Sequence, residues 1–580
     1  MWYVTRPAAA LGVVAAFVMS FVGDASAQTA QQDVEARTER VQPRPEAFDG
    51  PSVQFTSQRP PANAEEIIFQ LNGVVVAGAT LYQEAVFQAL YEDLIGEDVT
   101  LLKVFDIAGA IQQLYRDDDY VFTRVVIPAQ NIEGGVVQIE VIEARIESVS
   151  VEEPENPVGP VTELVEDMIS PLVGLTNPTG AFLERTLLNI NEIPGIRRAT
   201  AVPQAGPSGE RGVLALFINV ERDPFEAVIF GDNRQVPGVG RGIFGGQATF
   251  NSWSRAGDTT TISYFNSFGY LTDEDSPPGD GGVGDLDERN TIQLEHSRYI
   301  GKDGLQIKGR VLYSRTRPGD DLDTIGLKGE TLLAGVEASY PLFRSRQISL
   351  TGAIGVDLFN SETDVSQGAF NIADDRIRLA YARFDALIRD SLGFTKFTFE
   401  GRQGLDILNA SDPDKDDFLS RNDGRGDFTT LSASIERLLQ INDDLSLFLR
   451  ASGQISATPL LASEEFAIGG LTFGRGFDPS EFTGDDGFGL SAEFRYTQQI
   501  EFMDFLFDAE FYAFTDYAYV RNKGQGQPGS EDIASAGGGV RLFLPDQYVI
   551  GLEAAYPLDQ PLERTQKKNA RYFVNFSKRF

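Results

Sequence analysis

From Gly487 to Thr497 apolar and polar residues alternate without a break. Phe488, Leu490, Ala492, Phe494 and Tyr496 take one set of positions, and Gly489, Ser491, Glu493, Arg495 and Thr497 take the other. Successive side chains of an extended chain point to opposite faces, so this stretch predicts a strand with one oily and one polar face. Just before it lies a glycine-dense segment around Gly474-Arg475-Gly476-Phe477, which reads as a loop.

The same period fills the chain beyond Asp223. Sixteen strands are expected, near 225–233, 242–253, 258–268, 289–300, 303–317, 330–343, 346–362, 374–390, 393–408, 427–441, 443–456, 487–500, 505–520, 531–545, 546–558 and 569–580. Short connections such as 254–257, 301–302 and 391–392 alternate with longer polar ones at 270–288, 318–329, 364–373, 409–426 and 459–486. Short turns on one side, long loops on the other and an even strand count predict a transmembrane β-barrel covering 224–580. Closure removes the strand edges that lipid could not satisfy. The last strand keeps Tyr572, Val574, Phe576 and Phe580 on one face, where Lys578 can snorkel to water. Sixteen strands leave an aqueous lumen that must be occupied, and the 459–486 loop is the longest available. The long loops are expected outside the cell, where protease would reach 270–288, 318–329 or 409–426.

Upstream the period is mixed. Ile67–Leu71 reads as a strand, Leu81–Leu94 and the stripe Phe105, Ala108, Ile111, Leu114, Tyr115 as helices, and Val121–Ile127 and Val136–Ile142 as two strands joined through Gly134-Gly135. Strand–helix–helix–strand–strand then recurs, with a strand at 146–151, helices at 161–172 and from Pro178, and strands near 199–203 and 212–221. Two copies of one order predict two α+β domains, 65–145 and 146–223. Residues 1–27 read as a signal peptide, with Arg6, an apolar run from Ala8 to Val22 and the small-residue site Ala25-Ser26-Ala27. Residues 28–64 read as a short polar helix and a Pro-rich linker.

Composition removes several functions. The formal net charge of −36 disfavours a nucleic-acid partner. No Cys is present and His296 is the only His, which leaves no thiolate metal site and almost no route to a His-based triad; His296 itself reads as barrel wall. No phosphate-binding Gly-rich loop with Lys-Ser/Thr occurs. The acidic run Asp412-Pro-Asp414-Lys-Asp416-Asp417 lacks the Gly and Glu of a calcium loop and reads as a solvated loop. No catalytic residue, cofactor or metal is expected.

The chain resembles the outer-membrane transporters of two-partner secretion, the hemolysin secretion/activation family of the Omp85 superfamily, over nearly all of its mature length. Arg475-Gly476-Phe477 is similar to the family's Arg-Gly-aromatic tip on the sixth extracellular loop, with Gly469-Gly470 before it and Gly484-Asp485 after it. Phe514-Thr515-Asp516 is similar to its Phe-x-Asp motif on the thirteenth strand. Residues 125–145 resemble the end of its first POTRA domain, 187–196 the second helix of its second, and Asp232-Asn233 through Gly257-Asp258 its first barrel hairpin. Two positions depart: Gly474 stands where the family usually has Val, and Ala144 where it often has Gly. The resemblance implies export of a partner polypeptide, a hemolysin- or adhesin-like exoprotein, from periplasm to cell surface. It implies a monomer in outer-membrane lipid and lipopolysaccharide with POTRA domains in the periplasm. It makes Gly474, Arg475, Gly476, Phe477, Phe514 and Asp516 the loop-lock motif. A barrel-assembly factor of the same superfamily and a porin-like channel are the alternatives, separable by the number of α+β domains before residue 224.

Strand periodicity bears on the lock separately. In 505–517 the odd positions are nearly all apolar and should face lipid, while Asp508, Glu510 and Asp516 should face the lumen. Asp516 therefore points where an inward-folded Arg475 could meet it, and Asp508, Glu510 and Glu493 remain alternative partners.

Overall fold

The computed structural model describes residues 58–152, 162–236, 239–268, 288–318, 325–368, 370–502, 505–524, 529–560, 562 and 566–580. The signal peptide, residues 28–57 of the expected helix and linker, 269–287 and 319–324 lie outside the described residues.

The first domain holds β1 (Ile68–Gln70), β2 (Gly73–Ala77), α1 (Glu84–Gln88), β3 (Asp98–Thr100), α2 (Leu101–Asp117), β4 (Arg124–Val126) and β5 (Val136–Ile142). Its sheet has the order β2-β5-β4, with β2 parallel and β4 antiparallel to β5. This corrects the sequence reading: the strand in the sheet is Gly73–Ala77, while β1 pairs only with β3 in a separate ribbon. The run Val74-Val75-Val76 masks its alternation with three apolar residues in a row. Val104, Ile107, Ile111 and Tyr115 of α2 pack on Val74, Val137, Ile139 and Val141. Thr100 caps α2 by accepting the Lys103 N–H at 3.3 Å.

The second domain repeats this topology with β6 (Arg145–Glu152), α3 (Thr162–Ile169), α4 (Gly180–Asn191), β7 (Ile196–Ala205) and β8 (Val213–Arg222). Its sheet order is β6-β8-β7, again one parallel and one antiparallel pair. Side-chain contacts from both domains join them, and Arg211 of the second meets Glu140 of the first at 3.0 Å. Asp119 of the first accepts the Ala181 N–H at 2.6 Å and caps the start of α4. Glu143 gathers Thr80, Leu81 and Tyr115 of its own domain and the Asn177 amide of the second, the last at 3.2 Å.

Sixteen antiparallel strands then close into one barrel: β9 (Phe225–Asp232), β10 (Gly242–Asn251), β11 (Asp258–Phe268), β12 (Arg289–Ile300), β13 (Leu305–Thr316), β14 (Lys328–Arg344), β15 (Ile348–Val365), β16 (Phe370–Asp390), β17 (Gly393–Gly404), β18 (Thr429–Gln440), β19 (Leu445–Ser456), β22 (Asp486–Phe502), β23 (Phe505–Arg521), β24 (Ser530–Leu544), β25 (Tyr548–Pro557) and β26 (Arg571–Arg579). The two remaining strands, β20 (Phe466–Ile468) and β21 (Phe482–Gly484), form a hairpin inside the 457–485 loop. One expected long loop is absent: β15 and β16 continue pairing to Val365–Phe370, so 364–373 is mostly strand. Asp364, Asn371 and Ala373 read as loop composition although their backbones stay in the ladder.

Outward positions such as Ile292, Leu294, Val311, Tyr313, Val336 and Leu490 are exposed and apolar. Inward positions carry paired charges. Arg310 meets Asp357 at 2.7 Å, Arg383 meets Glu337 at 2.9 Å, Lys308 meets Glu337 at 3.4 Å and Arg450 meets Glu436 at 2.6 Å. The second domain docks on three successive short turns. Pro194 C=O accepts from Ser252 at 3.3 Å, Glu192 meets Tyr299 and Arg344 at 2.7 and 3.0 Å, and Glu184 meets Arg346 at 3.2 Å. The short turns thus lie on the side of the α+β domains. His296 is exposed on the outer face, where its Nδ1 lies 2.9 Å from the Thr260 hydroxyl.

Candidate functional site: the loop tip in the lumen

The 457–485 loop folds inward and places its tip against β22–β25. Arg475 is buried, with 4% of its surface exposed. Its Nε and Nη2 donate to the two carboxylate oxygens of Asp516, both at 3.0 Å, and its backbone N–H donates to Oδ2 at 3.0 Å. The planar guanidinium matches a carboxylate edge to edge, which fixes orientation as well as distance. Its flat face lies on Phe514, with Cζ 3.4 Å from the ring centroid.

The strand register explains why these groups meet. Ser491 of β22, Asp516 of β23 and Ser535 of β24 are direct cross-strand partners and share the inner face. Both hydroxyls donate to Asp516, at 2.8 and 3.2 Å. Glu493, two residues from Ser491, accepts from Arg475 Nη1 at 2.6 Å. Of the alternative partners, Glu493 is therefore a second ligand of Arg475. Glu510 is held by Arg541 at 2.7 Å, and Asp508 is exposed. From Glu510 to Tyr517 the even positions of β23 are buried and the odd ones exposed.

Sequence reasoning did not find Ser491, Ser535, Glu553, Arg541 or Arg234. Arg541 bridges Glu493 and Glu510 at 2.8 and 2.7 Å, and Arg495 reaches Glu493 at 2.8 Å. Arg234 reaches Glu553 at 2.5 Å, and Glu553 lies 3.9 Å from Arg475. Four arginines thus face four carboxylates in one cluster, which keeps the buried charge balanced. The available signal was the inward period of β22 to β25 combined with charge.

Glycine is needed at two tip positions, one for its backbone conformation and one for close approach. Gly474 has φ +80°, and a Cβ there would collide with the Ile533 side chain. This accounts for glycine at a position where Val is usual. At Gly476 a Cβ would sit 2.8 Å from the Pro557 nitrogen, so the tip passes flat against β25. Phe477 is fully buried among Ile468, Phe473, Ala518, Val520 and Ile533.

Elsewhere, Asp412 pairs with Lys415 at 2.6 Å and accepts the Asp414 N–H at 3.0 Å, so the acidic run is tied up internally. Among the described residues no cluster of three or more His, Asp or Glu side chains has the arrangement of a metal site.

The model of the haemolysin secretion/activation protein family ShlB/FhaC/HecB matches residues 219–542. The chain belongs to this family. A POTRA domain of the ShlB type matches residues 69–144. The heme/hemopexin transporter protein HuxB of Haemophilus influenzae is 22% identical over 494 residues, covering 82% of this chain and 81% of that one. The fold is similar to that of CdiB from Escherichia coli, with a TM-score of 0.67 at 16% identity over 97% of this chain and 98% of that one. BamA from Haemophilus ducreyi lacking POTRA domains 1–3 gives a TM-score of 0.50 at 12% identity over 88% of this chain and 100% of that one. The protein is a two-partner secretion transporter of the Gram-negative outer membrane that exports a partner protein. The porin-like and barrel-assembly readings give way to it.

Proposed function

We propose that the 457–485 loop is the transporter's removable plug and that Arg475 and Asp516 are its latch, with Gly474, Gly476, Phe477 and Phe514 shaping the tip. The observation that carries this reading is the convergence of three donors of Arg475, two from the side chain and one from the backbone, on one carboxylate that is 1% exposed. Such a latch is strong enough to hold one loop position and consists only of hydrogen bonds, so it re-forms after each passage.

The client is an exoprotein of the hemolysin or adhesin type, delivered extended. The two α+β domains, 65–145 and 146–223, expose sheet edges to which an extended chain can add itself by main-chain hydrogen bonds. The barrel works as a monomer, its apolar belt in lipid and its outer rim against lipopolysaccharide. It carries out no covalent chemistry, and folding of the client outside drives export.

Secretion assays on Arg475→Ala, Asp516→Ala and the double variant test the latch. Each single variant should keep a heat-modifiable barrel and cut secretion severely, and the double should be little worse, because both remove one contact. Wild-type secretion by both single variants, or fully additive defects, would remove the latch.

A further inference from the structure

Arg234 follows the first barrel strand, directly beside the line where the barrel closes. That closure is short. β26 pairs with β9 only from Asn575–Asp232 to Arg579–Val228, five residue pairs, whereas β25–β26 and β9–β10 have eight each. Beyond Asp232 a side chain stands in for the missing ladder. Asn233 Oδ1 accepts the Val574 N–H at 2.8 Å, and its Nδ2 donates to Tyr572 C=O at 3.1 Å. Asn233 thus copies a backbone donor–acceptor pair and stops the closure from splaying at its outer end.

Arg234 turns inward from the same point and is 2% exposed. Nη1 donates to the backbone C=O of Arg475 at 3.3 Å, and Nη2 donates to Glu553 at 2.5 Å. Its guanidinium carbon lies 3.6 Å from the centroid of Phe573 on β26. One side chain therefore touches the end of β9, the last strand and the loop tip. A second link runs in parallel, because Asp478 of the loop pairs with Arg571 at the start of β26. Glu553 is shared, accepting from Tyr512 at 2.8 Å as well as from Arg234.

We infer that Arg234 is a positioning residue that makes release of the loop tip and loosening of the β26–β9 closure a single event. When Arg475 leaves Asp516, its carbonyl moves away from Arg234. Arg234 then keeps Glu553 but loses its bond to the tip, one of the two hydrogen bonds that hold its guanidinium against Phe573 at the end of the seam. The shortest ladder in the barrel loses its inner support at the moment the plug is withdrawn, and the wall gains circumference where the client must pass. This rests on the reading of the loop as a latched plug.

The test is amide hydrogen exchange on the full-length protein in lipid nanodiscs, read separately at 466–484 and at 574–579. Asp516→Asn, which weakens the latch without touching Arg234, should raise exchange at both segments by about tenfold. In an Arg234→Gln background the seam should already exchange faster, and Asp516→Asn should raise exchange only in the loop. If the glutamine variant loses its heat-modifiable shift, Arg234→Lys, which keeps the charge and loses the fork, replaces it in the same comparison. Exchange raised in the loop alone by Asp516→Asn, or additive effects at the seam, overturns the inference. Those outcomes are distinct from failure of the plug reading, which would appear as unimpaired secretion whatever the exchange pattern.

Discussion

Arg421 grips Asp485 through two parallel hydrogen bonds, Nη1 to Oδ1 at 2.9 Å and Nη2 to Oδ2 at 3.1 Å. Arg421 lies in the loop between β17 and β18, and Asp485 ends the loop that carries the tip. Arg421 also meets Glu465 at 2.6 Å, and Leu419 and Phe428 of its loop pack with Leu460 and Leu461. The 405–428 loop is therefore not the open tether that its Asp, Asn and Gly content suggests. It is folded onto the base of the plug, and the two form one lid over the outer end of the lumen.

Removing this arginine should uncouple the lid. Arg421→Ala leaves Asp485 and Glu465 buried without their cation, a loss of about 3–5 kcal/mol for a fully buried pair and less beside water. Limited proteolysis of whole cells should cut wild-type protein in this loop around the exposed residues 406–409 and 414–418, and should extend to 419–426 in the variant. Equal cleavage patterns would show that Arg421 does not hold the loop.

Gly474 offers a test of backbone strain. Gly474→Val restores the residue usual in the family but demands φ +80° and space occupied by Ile533. The cost is about 1–3 kcal/mol for the left-handed conformation of a β-branched residue, plus the overlap. The tip should shift, exchange in 466–484 should rise and secretion should fall. Pairing with Ile533→Ala should recover the part due to overlap and not the part due to φ.

The junction of the two periplasmic domains should depend on pH through Glu143. Burial alone would push this carboxyl up, but hydrogen bonds from Thr80, Tyr115 and Leu81 outweigh it and hold it below the ordinary carboxylate range. Its folded pKa is lower than its unfolded one, so its contribution is complete above the unfolded value of about 4.3 and fades as pH falls through the folded value. Glu143→Ala should destabilise the first domain by about 1–3 kcal/mol at neutral pH, by stranding the Thr80 and Leu81 N–H groups and the Tyr115 hydroxyl. Exchange of amides 74–82, compared between pH 7 and pH 4, should show the gap between wild type and variant narrowing in acid.

Docking of the second domain gives a fourth expectation. Glu192 is contacted by both Tyr299 and Arg344 from neighbouring turns. Arg344→Ala removes the charged half of this contact, worth at most about 1 kcal/mol because Glu192 is half-exposed. A spin-label distance between the second domain and the 345–347 turn should broaden without a change in barrel stability.

The barrel was legible in the sequence because its solvent changes with every residue. Lipid outside and water inside impose a strict period two, and all sixteen strands were placed within a few residues. Gly73–Ala77 escaped notice because its outward-facing Val75 is apolar although exposed, so Val74-Val75-Val76 shows no period. Arg475 and Asp516 could be named because one lies in a glycine-rich tip and the other on a strand whose faces are unambiguous. Glu553 and Arg234 could not. Their roles depend on barrel closure, which brings together positions 319 residues apart in the chain. No local pattern encodes that distance.

The paired charges along the lumen have a consequence for what can travel past them. Each guanidinium on β13 to β19 that meets a carboxylate forms a compact dipole, and a dipole's field fades faster with distance than that of a lone charge. Arg310 with Asp357, Arg383 with Glu337 and Arg450 with Glu436 thus give a corridor that is wet and polar yet nearly silent a few ångströms from its surface. Along these ion-paired rows a sliding polypeptide meets alternating signs rather than a single-signed stripe that would trap its ionic side chains. Such a surface is indifferent to the order of side chains that crosses it, and selectivity falls to whatever greets the cargo before it enters.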